Sequence, residues 1–109
     1  MTVLEATDVE TIRQIFSEMY NVRRFTPNPD YNFIRVSQQT MTSKAQRHDF
    51  TFSINSNVRG DPLQALYFGH IRTGAVTYHV GHTSRTYAGG DVFLAVQPDH
   101  FLDADLAHP

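Results

Sequence analysis

Between Thr7 and Tyr20 the apolar residues Val9, Ile12, Ile15, Phe16 and Met19 recur at helical spacing. Glu10, Arg13, Gln14 and Glu18 take the opposite side. That period predicts an amphipathic helix whose stripe packs on a core. Thr7 followed by Glu10 has the spacing of a capping box, which sets the helix start there. After Asn21 the period changes. FTPNPD, from Phe25, holds two prolines and reads as a loop. From Tyr31 onward the pattern alternates with a period of two. YNFIRVSQQT sets Phe33, Arg35 and Ser37 against Ile34, Val36 and Gln38, and HDFTFSI sets Phe50, Phe52 and Ile54 against Thr51 and Ser53. NSNVRGDP reads as a turn-rich break. ALYFGHI, AVTYHV, SRTY and VFLAV follow as short strands, with glycine in each turn between them (Gly74, Gly81, Gly89 and Gly90). Asp91, after the last of these, is placed to bond backbone amides of its turn.

Closely spaced strands with glycine turns predict an antiparallel meander, with VFLAV as a buried strand. The expected fold is mainly β: an antiparallel β-barrel or sandwich with one N-terminal α-helix. No helical pattern lies between the later strands, so a parallel α/β sheet is not expected.

Length and composition narrow the picture. At 109 residues the chain has room for one modest core, so residues 1–109 are read as a single domain. Nine basic residues are spread among eleven acidic ones for a formal charge of -2, which gives no basic face for nucleic acid. The chain has no cysteine, which removes disulfides, thiol nucleophiles and thiolate metal sites. MTVLEATDVE has neither a basic start nor a long apolar run, and no stretch reaches the ~20 apolar residues of a spanning helix. A cytoplasmic location without membrane contact is expected. FLDADLAHP carries neither a capping pattern nor a closing strand and reads as the point where a longer chain was cut.

Six histidines, His48, His70, His79, His82, His100 and His108, are the candidates for metal chemistry. YAGGDVFLAVQPDH, from Tyr87 to His100, has the turn–strand–turn–histidine layout with which small β-barrels of the cupin kind bring in a ligand. A metal-binding cupin takes two further ligands from an H-x-H pair, whose period-two spacing aims both rings to one face of a strand. The sequence has no H-x-H. H-V-G-H, from His79 to His82, puts its rings on opposite faces of a straight strand, and no acidic residue lies between His82 and Asp91. A free-standing metal-dependent cupin enzyme using His79, His82 and His100 is therefore the alternative reading, and no metal or other cofactor is the expectation. No nucleophile elbow or phosphate-cradling glycine loop occurs, and Asp99, Asp103 and Asp105 read as solvated. An enzyme is not indicated. The aromatic residues of the strands either fill the interior or line an apolar cavity with a few polar groups. The candidate ligand-binding residues are Arg35, Phe52, Tyr67, His70 and Tyr78.

The ordered set from Asp61 to Phe101 resembles the N-terminal half of AraC-type transcriptional regulators. Its parts are the Asp61–Pro62 turn, the hairpin at Arg72 to Gly74, the hairpin at Gly81 to Arg85, Y-x-x-G-D-V from Tyr87 to Val92, and Gln97 to Asp99 at the strand end. The strands from Phe33 and Asp49 and the leading helix extend the resemblance over nearly the whole chain. It implies a cupin-like domain without catalytic metal that senses a small-molecule effector, mediates homodimerisation, or both. DNA contact would belong to a C-terminal helix-turn-helix domain outside this sequence.

Overall fold

The computed structural model describes the chain except residues 28–31, 98–99 and 108–109, and except the side chains of residues 64–65 and 95–97. Tyr31, Asp99 and His108, which carried expectations, lie outside the described residues.

The helix, α1, spans Val9–Tyr20 and buries Ile12, Ile15 and Phe16, as its periodicity requires. Its start is set by Asp8 rather than by a Thr7–Glu10 box. Asp8 Oδ2 accepts hydrogen bonds from both the backbone N and Oγ1 of Thr11 at 2.8 Å, and a carboxylate suits the positive end of the helix dipole. Asn21 ends the helix in the left-handed conformation (φ 54°), its N–H donating to Phe16 O.

The strands are β1 (Thr2–Ala6), β2 (Val22–Pro27), β3 (Phe33–Thr42), β4 (Ala45–Ser53), β5 (Ser56–Gly60), β6 (Leu63–Thr73), β7 (Ala75–Val80), β8 (Thr83–Ala88), β9 (Val92–Gln97) and β10 (Leu102–Ala107). They form two five-stranded sheets, ordered β1-β3-β4-β6-β9 and β2-β5-β10-β7-β8. One core cluster is built from the facing sides of both sheets and from α1. Ile34, Val36, Phe50, Phe52 and Ile71 come from the first sheet, and Phe25, Val58, Val76, Ala104 and Leu106 from the second. The mainly-β, one-helix expectation holds as a two-layer arrangement. Each sheet keeps two free edges, so it is not a closed barrel.

The order is not a meander, because the chain repeatedly crosses between layers. β5 lies in the second sheet, and β6 then returns beside β4 in the same direction. The β4/β6 pair is therefore parallel, against the antiparallel expectation. The hairpin glycines Gly74, Gly81 and Gly90 take positive φ, as the turns demand. Asp91 Oδ2 accepts from Ala88 N at 2.8 Å, the expected bond within its turn.

Four elements depart from the sequence pattern. MTVLEATDVE contains the edge strand β1, paired with β3 through Leu4↔Val36. The loop expected after Asn21 begins as β2, which pairs with β5 through Phe25↔Val58. NSNVRGDP holds β5 rather than a break. There Gly60 is obligatory, since a Cβ at this position would run into the Asn21 carbonyl. FLDADLAHP contains β10, the central strand of its sheet, held between β5 and β7. β10 alternates cleanly, with Leu102, Ala104 and Leu106 buried. VFLAV is not wholly buried: Phe93 points inward at 7% exposure, whereas Val92 and Leu94 on the outer face are 67% and 53% exposed.

Candidate functional site

The inner faces of the two sheets carry a continuous aromatic layer. Phe50 stacks on Phe52 (centroids 5.3 Å apart) and Tyr87 on Phe93 (4.5 Å), with Tyr78 in contact with both Tyr87 and Phe93. Between the sheets is an apolar cavity of about 50 Å³, walled by Phe16 and Tyr20 of α1, Phe50 and Phe52 of β4, Val58 of β5, and Val76 and Tyr78 of β7, among others. A second cavity of about 100 Å³ opens between edge strands β8 and β9, lined by Val80, Thr83, Arg85, Tyr87 and Phe93 and again by Tyr78. Tyr78 is thus the wall the two share.

A polar chain runs beside the inner cavity. His48 is fully buried on the inner face of β4. Its Nδ1 lies 2.6 Å from the Tyr20 hydroxyl and its Nε2 lies 2.9 Å from Gln46 Oε1. Gln38 Nε2 donates to that same Gln46 oxygen at 3.3 Å. An amide oxygen can only accept, so Nε2 carries the ring hydrogen, Nδ1 is the acceptor and Tyr20 donates. Burial lowers the His48 pKa to about 4, with Asp49 opposing only in part, so the ring is neutral near pH 7. Burial also pushes the Tyr20 phenol well above its ordinary value, with the Tyr78 and Tyr67 phenols adding to it. Tyr67 packs against His48 at 4.6 Å and donates its hydroxyl to Met19 O at 3.2 Å. The end of α1 is therefore tied to the first sheet at two points.

The predicted ligand residues separate into two groups. Phe52 and Tyr78 wall the inner cavity, and Tyr67 supports its polar edge. Arg35 and His70 are not near them, because odd positions of β3 and even positions of β6 face outward. Arg35 lines an open groove on the outer face of the first sheet, together with Ser37, Asp49, Thr51 and Arg72. His70 Nδ1 lies 2.9 Å from Asp49 Oδ1, and Arg47 lies 3.2 Å from the same oxygen. Burial works to raise the Asp49 carboxyl. The hydrogen bonds from His70 and Arg47 and the charges of Arg47 and Arg72 outweigh it and hold the group below its ordinary value. Alternation along β4 carries the one signal that pointed to a missed residue: His48 shares the parity of Phe50 and Phe52. Tyr20, Gln38, Gln46 and Arg85 carry no such local mark.

The histidines of the alternative metal reading do not converge. His79 Nε2 lies 2.7 Å from Asp105 Oδ2, and its Nδ1 lies 2.8 Å from Ser84 Oγ. His82 sits exposed in the turn after β7, and His100 is exposed beyond β9. Among the described residues no three His, Asp or Glu side chains are grouped to hold a metal ion.

Asp105 is not a free solvated carboxylate. Hydrogen bonds from His79 and Asn57 hold it below its ordinary value, and Asn57 also bonds Asp103. Ser84, His79 and Asp105 have the order of a catalytic triad. However, they lie on an outer sheet face with the carboxylate 52% exposed, where water screens the charge a triad depends on. This row is cross-strand pairing on a sheet surface.

Among the described residues no helix is long and apolar enough to cross a membrane. No protein-family model, curated protein or solved structure matches the chain.

Proposed function

We propose that the chain is the cupin-like, effector-sensing domain of an AraC-type regulator, acting in the cytoplasm without catalytic chemistry of its own. One observation carries the reading: an apolar space between the sheets is roofed by a helix that is pinned at Tyr20 to a buried histidine. A ligand entering this space meets α1 and the first sheet together, and differential contact with two positions of α1 is what a sensor needs. At about 50 Å³ the inner cavity is well below the ~300 Å³ of a typical ligand pocket. Binding must therefore enlarge it, and α1 is the wall that no backbone ladder ties to a sheet. DNA contact would come from a helix-turn-helix domain outside this sequence, with this domain contributing to homodimerisation.

The reading is tested by a thermal-shift screen of the chain against small apolar and amphipathic compounds. Ligand stabilisation, rising with concentration, is expected. A complete screen in which no compound raises Tm overturns it, as does a full reading frame lacking any helix-turn-helix domain.

A further inference from the structure

The two cavities that meet at Tyr78 differ in character. The inner one is walled by aliphatic and aromatic side chains. The outer one, at the open β8/β9 edge, carries the guanidinium of Arg85. Arg85 stands directly across from Tyr78 in the β7/β8 ladder and has the parity of Tyr87 on β8, but at this sheet edge it is exposed where Tyr87 is half-buried. Among the described residues Arg85 forms no ion pair, a condition it shares with Arg24, Arg35, Arg72 and Lys44, and of these five it alone lines either of the two cavities. An unpaired cation at the lip of an apolar space has one natural complement, an anionic head joined to an apolar body. The inner space of about 50 Å³ and the outer, polar-lipped one of about 100 Å³ together match the ~150 Å³ that holds one benzene ring.

We propose that the site takes a small monocarboxylic acid with a single ring or short chain. Its carboxylate sits on Arg85, and its body passes Tyr78 into the space between the sheets. This rests on the effector-sensing reading and names the ligand class. Tyr78 lines both spaces, so a body reaching inward from Arg85 must pass its ring. Arg85 is the specificity residue, since among the described residues it is the one cation lining either cavity. A charge on an edge strand also serves to block pairing with another chain, a role that needs the charge but no ligand.

The experiment is an NMR titration of the whole chain with benzoate, benzamide and toluene, which share a ring and differ in charge. Benzoate is expected to move the amide signals of Tyr78, Arg85 and Phe93, and to bind at least about tenfold more tightly than benzamide, the range of a charge-assisted hydrogen bond. Arg85→Gln should erase that preference and leave toluene binding unchanged, while Arg85→Lys should retain most of it. If Arg85→Gln fails to fold, the benzoate-to-benzamide ratio of the unmodified chain decides alone. Equal binding of the three probes, or an unchanged benzoate affinity in folded Arg85→Gln, overturns the acid-binding site and leaves the sensing reading standing. If none of the probes binds, the acid-binding site falls. The sensing reading falls with it only when the thermal-shift screen is also blank.

Discussion

Tyr20 donates its phenolic hydrogen to Nδ1 of His48 over 2.6 Å, joining the last turn of the helix to the middle of a buried strand. The bond lies in a region of low dielectric, where an unpaired partner is costly. Replacing Tyr20 with Phe leaves the neutral His48 nitrogen without a donor and should cost about 1–2 kcal/mol. His48→Ala strands the phenol and opens a cavity, and should cost about 2–4 kcal/mol. The double variant should cost less than the sum, by about 1 kcal/mol. Urea unfolding measures all three, and strict additivity would show that the bond contributes nothing.

His48 also gives stability a pH dependence. Its folded pKa of about 4 lies below the ordinary histidine value of 6.5. Between these values the unfolded chain binds a proton that the folded chain refuses. Stability from this group is complete above pH 6.5 and falls as the pH drops toward 4, by on the order of 2–3 kcal/mol. Asp49 and Asp105, held below the ordinary 3.8, lose their contributions only at more acidic pH. His48→Gln should therefore flatten the profile between pH 6.5 and 4 and leave the acid limb in place. Denaturant midpoints across that range are the measurement, and a slope unchanged by the substitution would count against burial of a neutral ring.

Gly69 faces Phe93 across the β6/β9 pair, and a Cβ at Gly69 would come within 2.3 Å of the tip of the Phe93 ring. Gly69→Ala should displace that ring and the Tyr87 stacked on it, at a cost of about 1–3 kcal/mol. Because Phe93 and Tyr87 line the outer cavity, the change should also weaken any ligand held there. Near-ultraviolet circular dichroism and the Tm report the two effects. An unshifted Tm with an intact aromatic signal would contradict the packing described.

The Ser84–His79–Asp105 row should behave as surface pairing. His79→Ala is expected to change stability by less than about 1 kcal/mol, and the difference should shrink further at 1 M salt. Incubation with p-nitrophenyl acetate should release product no faster with the unmodified chain than with His79→Ala. A faster rate for the unmodified chain would instead assign the row a catalytic role.

The candidate site was legible only in part. Phe52 and Tyr78 stand among the candidate ligand residues of the sequence and wall the inner space, because alternation on β4 and β7 keeps both rings on the core side. Arg35 and His70 were grouped with them, yet both face outward. Alternation sorts residues within one strand but does not say which face turns toward the second sheet. Tyr20 read as the end of a helix, and nothing local links it to His48, 28 positions away.

By itself, the sequence determined the helix and the hairpins at Gly74, Gly81 and Gly90. It also determined the alternation of most strands and a mainly-β class, since each depends on contacts within a few residues of the chain. Tertiary structure decided the rest. SNVRG has little intrinsic preference for a strand and becomes β5 because Asn21, β2 and β10 offer it partners. LDADLA reads as an acidic tail and becomes a central strand, because two neighbours complete its hydrogen bonds and the opposite sheet takes its leucines. The parallel β4/β6 pair and the meeting of two cavities at Tyr78 follow from the chain crossing between layers, which no local pattern records.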